Sequence, residues 1–179
     1  MALVVGLSID DEHRFSKRAV ASVTAVAGVG IEGDTHAGPL VQHRSRVRAD
    51  PNQPNLRQVH LIDDVLFRVA ADAGFEIGPG DLGENVTTSG VDLHALAAGS
   101  VLLLGEAVLV AVTGLRNPCA QIERFRPGLL DLVRWRDDAG EIVRCAGVMG
   151  VVVRGGEVVV GDPVTWSVPP GPPSPLRPV

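Results

Sequence analysis

A cysteine directly after a proline, in TGLRNPCAQIERF (113–125), is the residue of this chain whose setting most suggests chemistry. If Asn117 caps a helix, Pro118 takes its first position and Cys119 its second. Asparagine is a favoured cap, and proline at that position is already set to helical φ. A thiol there would lie over unpaired backbone N–H groups at the positive end of the helix dipole, which favours the nucleophilic thiolate. Arg116 and Arg124 would add to that field. Free cysteine is also commonly buried as a small hydrophobe, so local features leave reaction and packing both open. The second cysteine, Cys145, enters an apolar strand in EIVRCAGVMGV and reads as packing. Two cysteines with no secretory signal point to free thiols in a reducing cytosol rather than to a Cys119–Cys145 disulfide.

Other polar groups gather in three places. His36 shares the glycine-bounded loop GDTHAG with Asp34, whereas His13, His43, His60 and His94 are scattered without the spacing of a zinc site. In DLGENV, Glu84 and Asn85 could hydrogen-bond a polar ring or fix a neighbouring loop, although alone the segment reads as an ordinary turn. Arg44, Arg46, Arg48 and Arg57 crowd one polar stretch that is either a solvated loop or a contact for a small anion. No P-loop and no dinucleotide fingerprint is present.

These groups need a scaffold, and the composition favours a β-rich one. Apolar residues make up 45% of the 179 and aromatics only 3%, so Val, Leu, Ile and Ala must build the core. Twenty-one glycines and thirteen prolines supply many turns. ALVVGLSI and KRAVASVTAVAGVG read as strands, and the stretch through 41–57 reads as a long loop. VHLIDDVLFRVAADAG reads as the best helix, with Leu61, Val65, Leu66, Val69 and Ala73 on one stripe and Gly74 ending it. GPGDLGENVTTSGVDL reads as turns throughout. VLLLGEAVLVAVTGL gives two apolar runs about Gly105–Glu106, and NPCAQIERF and GLLDLVRWRDD give short helices parted by Pro127. The valine runs flanking Gly155–Gly156 predict a hairpin. We expect a mainly β, closed or nearly closed barrel with a few peripheral helices over residues 1–168, then a proline-rich disordered tail over 169–179.

A net charge of −5 argues against a nucleic-acid face, and no apolar run is long enough for a membrane span. The expected setting is the cytoplasm.

Taken in order, GIEGDTHAG (30–38), RQVHLID (57–63), GDLGENVTTSG (80–90), TGLRNPCAQIERF (113–125) and GVMGVVVRGGEVVVGDPV (147–164) resemble the MOSC domain. This module forms the C-terminus of molybdenum cofactor sulfurases and occurs as small stand-alone bacterial proteins. The resemblance implies a β-barrel of the kind also seen in a pyruvate kinase domain, and a role in handling sulfur or molybdenum cofactor (molybdopterin). It implies that Cys119 is the catalytic sulfur carrier and a candidate molybdenum ligand. The implied cofactor-binding set is Gly33, Asp34, His36, Arg57, Glu84, Asn85, Arg116 and Asn117. The chain is too short for a pyridoxal-phosphate desulfurase domain as well, so sulfur would come from a desulfurase partner or a small donor, and a molybdoenzyme could receive it. A non-catalytic cofactor- or partner-binding module is the alternative. A molybdenum-dependent reductase of N-hydroxylated compounds is a third, which in relatives uses further domains.

Overall fold

The structure is a computed structural model that describes residues 1–42 and 44–179, with the side chains of all of these except 44–46. In chain order its strands are β1 (Ala2–Ile9), β2 (Arg18–Val20), β3 (Ser22–Val26), β4 (Gly30–Ile31), β5 (Val59–Asp63), β6 (Val86–Ser89), β7 (Val101–Leu104), β8 (Val108–Leu115), β9 (Arg134–Arg136), β10 (Ile142–Arg144), β11 (Val148–Arg154), β12 (Gly156–Val159) and β13 (Pro163–Ser167). Four short helices accompany them: α1 (Arg44–Ala49), α2 (Val65–Asp72), α3 (Ala120–Phe125) and α4 (Leu129–Val133).

Hydrogen bonding runs β13-β7-β8-β11-β5-β6-β1, and β1 returns to β13, which closes a barrel of seven strands. Only β5 and β6 pair in parallel within that ring. Closure leaves the valine-rich strands without open edges. β8 shows the side-chain logic most cleanly, with Val108, Val110 and Val112 pointing into the barrel while the residues between them are half-buried. The interior is filled by valine and leucine from the whole ring, including Val4, Leu7, Leu61, Leu102 and Val148.

A second, smaller core lies outside the wall. There Ile62 of β5 packs with Leu66, Leu82, Ile122, Leu129 and Val133, which hold α2, α3 and α4 against the barrel. β5 is therefore buried on both faces, Val59 and Leu61 inward and Ile62 outward. A strand buried on both faces loses its alternation and fuses in the sequence with the helix that follows. This is why the expected helix over 59–74 begins only at Val65, and why Leu66 and Ala70 are its buried residues whereas Val65 and Val69 face outward. Gly74, at φ +85°, does end it.

Two further expectations change. The segment read as turns throughout contains β6, a buried strand between β1 and β5 whose threonines disguised it. The valine runs around Gly155 do not pair with each other: β11 joins β8 and β5, and β12 crosses to β3. A Cβ on Gly155 would come within 2.5 Å of the Ala25 carbonyl, so glycine serves a close crossing there rather than a hairpin turn. Within the proline-rich end of the chain, residues 174–179 make backbone hydrogen bonds to the barrel. Ala98 N–H donates to Ser174 O (2.9 Å), Leu115 N–H to Arg177 O (2.8 Å) and Val179 N–H to Leu115 O (3.3 Å), while Leu176 packs on the core. Of the hairpin or bent strand that the apolar runs about Gly105 leave open, the hairpin forms, and two short helices flank Pro127, although the second ends at Val133 and Arg134–Arg136 continue as β9. No helix among the described residues is long and apolar enough to cross a membrane.

Candidate functional site

Strand parity sends His60 outward from β5, and the loops at 10–17, 34–42 and 80–85 gather around it with the chain leaving β8. Together they enclose a cavity of about 340 Å³, within the range of small-molecule sites. Of the residues expected in a site, His36, Arg57, Asn85, Arg116, Asn117 and Cys119 line it. Arg48 of the arginine-rich stretch lines it as well, whereas the side chains of Arg44 and Arg46, and His43 altogether, lie outside the described residues.

Gly33, Asp34 and Glu84 do not line the cavity among the described residues; the two acids are buried behind it. Asp34 organises that layer. Its Oδ2 accepts from Lys17 Nζ (2.6 Å) and Asn85 Nδ2 (2.9 Å), and its Oδ1 accepts from the His36 backbone N–H (2.9 Å). Burial would by itself raise the Asp34 pKa, but the His36 hydrogen bonds and the Lys17 charge outweigh it and hold the carboxyl well below the usual range. The Lys17 and Asp34 side chains are 2% and 0% exposed, so this ion pair is a structural element of the wall. Asn85 reaches across it to Ser8 O (3.3 Å), tying the loop after Gly80 to β1.

Glu84 is fully buried. Its Oε1 accepts from Gly80 N–H (2.5 Å), and Oε2 has no hydrogen-bond partner among the described residues. Burial pushes its carboxyl up. Gly83, at φ +80°, lets the loop pass where a Cβ would stand 2.6 Å from Phe15 O.

The Pro-Cys segment is built differently from the expectation. The helix begins at Ala120, so Cys119 is itself the cap residue, in an extended conformation, and Asn117 is no cap. Asn117 instead accepts from Arg144 Nε through Oδ1 (3.1 Å), and Pro118 O accepts from Arg134 Nη1 (3.4 Å). The three residues from Arg116 to Pro118 thus lead from the end of β8 to Cys119 at the cavity. Both cysteines are free thiols, half-buried, and Cys119 Sγ–H contacts Gln121 Oε1 at 3.5 Å.

Arg116 begins where β8 stops, its N–H donating to Gly147 O (3.0 Å). It is 9% exposed, lies 5.9 Å from the Phe15 ring centroid, and its Nη1 has no hydrogen-bond partner among the described residues. Burial pushes the guanidinium below its ordinary value, opposed by the negative charges of a Cys119 thiolate and of Glu84. Burial, and then the Arg116 charge, push His60 well below its ordinary value; its ring is neutral and donates from Nε2 to Ala146 O (2.8 Å).

Five cationic side chains, Arg14, Lys17, Arg48, Arg57 and Arg116, line the cavity, and no carboxylate does among the described lining residues. Asp10 and Asp34 pair with Arg14 and Lys17 from outside it. In a chain of net charge −5 this is a local positive basin. Residue-by-residue reading missed Lys17, Arg14 and His60. Only His60 had a signal, its place in RQVHLID, because the other two sit in a charged turn that resembles any solvated one.

A family model of the MOSC domain matches residues 52–165. The YuaD protein of Bacillus subtilis is similar in structure, with a TM-score of 0.71 and 25% identity over 92% of this chain and 94% of that one. YiiM of Escherichia coli follows at TM-score 0.63 and 19% identity, covering 97% and 73% of the two chains. YiiM of Geobacillus stearothermophilus gives 0.62 and 17%, over 93% and 75%. No curated protein matches the sequence.

Proposed function

The chain belongs to the MOSC domain family, and from that premise we propose that its cavity binds molybdenum cofactor and that Cys119 carries sulfur there as a persulfide. The single observation that carries the reading is the meeting of a free thiol and a buried guanidinium in one cavity where, among the described residues, Nη1 has no partner and the lining has cations and no carboxylate.

The residues fit such a group. Guanidinium is the side chain best matched to a phosphate, and a thiolate is a soft donor suited to sulfur exchange or to a metal. Arg116 and Arg57 would hold the phosphate end, with Arg48 adding charge near it. Asn85 and His36 would orient a polar ring, both being fixed by Asp34. Asp34 and Glu84 act from behind the wall, and Lys17, at the lining, is engaged by Asp34, so the three keep the loops in place rather than holding the ligand. When bound, the cofactor would supply a metal centre to which sulfur can be delivered. Cys119 would accept a sulfane sulfur at Sγ and later give it up, and the half-buried cavity would shield that persulfide from stray reductants.

Metal and pterin analysis of protein made in a molybdenum-replete host tests the reading. We expect both to co-purify, or purified cofactor to bind in calorimetry. Arg116→Met should weaken binding by about tenfold or more, the size of a charge-assisted hydrogen bond. Neither molybdenum nor pterin in the isolated protein, together with no calorimetric binding, would overturn it. Cofactor binding that Cys119→Ser leaves unchanged, with no persulfide on the wild type, would reduce the protein to a binding module.

A further inference from the structure

We propose that the sulfur donor to Cys119 is a small sulfane-sulfur oxyanion of the thiosulfate class, its oxyanion end held by Arg116. The inference rests on the reading of Cys119 as a persulfide carrier and specifies what delivers the sulfur.

The first observation is the thiol's setting. Cys119 is half-buried in the wall of a cavity of about 340 Å³. A cysteine borne on a partner protein would have to insert a loop into that volume, whereas a five-atom dianion enters it whole. The second is Arg116, about nine-tenths buried beside the same cavity, with a donor that no described residue satisfies. Leaving a buried charged donor unpaired is costly, and an oxyanion is the ligand that removes that cost. The third is the distribution of charge. Of the five cations lining the cavity, Lys17 and Arg14 are already matched by Asp34 and Asp10, Arg48 is exposed and Arg57 half-buried, and Arg116 is the buried guanidinium, three residues before the thiol. His60 is neutral and has spent its Nε2 proton on Ala146 O.

The reaction balances without any external oxidant or reductant. The Cys119 thiolate attacks the outer sulfur of the dianion. A new S–S bond forms to Cys119 as the bond to the sulfonate sulfur breaks, and that bonding pair departs with sulfite. The negative charge gathering on the departing oxygens is what the guanidinium stabilises. A nucleophilic acceptor then attacks the terminal sulfur of the persulfide and returns Cys119 to thiolate.

Incubation of the purified full chain with thiosulfate, followed by intact mass spectrometry and sulfite determination, tests this. We expect one added sulfur atom per chain, located on Cys119, with an equivalent of sulfite. The adduct should be absent in Cys119→Ala and present in Cys145→Ala. Sulfate should slow the reaction with thiosulfate but not the loss of the thiol to an uncharged organic trisulfide. Arg116→Met should slow the thiosulfate reaction by about tenfold to a hundredfold and the trisulfide reaction far less. If that variant does not fold, the sulfate competition on wild type decides alone. No adduct, an adduct on Cys145, or equal sulfate sensitivity for both donors would overturn the proposal. Cofactor retention without a thiosulfate reaction removes this donor and leaves the cofactor reading intact; the adduct without cofactor does the reverse.

Discussion

The two cysteines are a natural comparison, because each is half-buried and free, Cys119 at the head of α3 and Cys145 just after β10. Cys119 shares its cavity lining with five cations and, among the described lining residues, no carboxylate, and Asp10 and Asp34 pair with two of those cations from outside it. Around Cys145 burial pushes the thiol up, and the charges of Asp63 and Asp92 push it further. Its cleft is lined by the docked end of the chain, with Pro173, Pro175 and Leu176, and by apolar residues of the β9–β10 hairpin's second strand and the end of β8. Accessibility does not separate the two thiols. What differs is the acidic company of Cys145, because the fold brings Asp63 and Asp92 to bear on that sulfur and leaves no carboxylate among the described residues that line the Cys119 cavity.

The largest break in that comparison should come from the ion pair behind the Cys119 cavity. Lys17→Met strands a buried Asp34, and we expect a loss of about 3–5 kcal/mol in urea unfolding. On the Cys145 side, Asp92→Ala removes a carboxylate that accepts from the His94 and Ala95 N–H groups, and should cost only about 1 kcal/mol. Equal costs would mean that the Lys17–Asp34 pair does not organise the cavity wall.

Next in size is the dependence of stability on pH. His60 has a lowered pKa in the folded protein, so the unfolded chain binds more protons and stability falls as pH drops below about 6.5. Asp34 is also lowered, and its contribution, present above the unfolded value near ~4, is lost as pH falls through its folded value. Stability measured by denaturation should therefore fall in two stages as pH drops, and His60→Gln should flatten the upper stage alone. A single stage near ~4 in the wild type would show that His60 is not held neutral.

The smallest effect concerns Cys145 itself. Asn in place of both Asp63 and Asp92 should speed its alkylation at neutral pH several-fold, on the order expected when carboxylate charges leave a thiol's surroundings. Mass mapping of the labelled site should find Cys119 unaffected by the same change. An unchanged Cys145 rate would leave burial as the whole cause.

Much of the scaffold was legible because its signals are local. The β7–β8 hairpin follows from two apolar runs about Gly105, which takes φ +62° at the turn. Pro127 separates α3 from α4 because it cannot continue a helix. The candidate site was legible in outline, since His36, Arg57, Asn85, Arg116, Asn117 and Cys119 do meet in one cavity. Their roles were less so. Glu84 and Asp34, expected among the ligand contacts, are buried and do not appear among the described lining residues, and the sequence did not record that Lys17 stands opposite Asp34. The cap shifted by two residues, since Asn117 finds a better partner in Arg144, distant in sequence.

What the sequence determined by itself is therefore the material: a valine-rich barrel, turns at particular glycines, a thiol after a proline, and boxes that resemble one family. Tertiary structure alone decided which runs are neighbours. The valine runs about Gly155 look like a hairpin and belong to different sheets, and VTTS looks like a turn and is a buried wall strand. It also decided which charges face a thiol and which stand behind it. Periodicity reports which face of a segment is buried, whereas pairing and electrostatics depend on the segment that covers it.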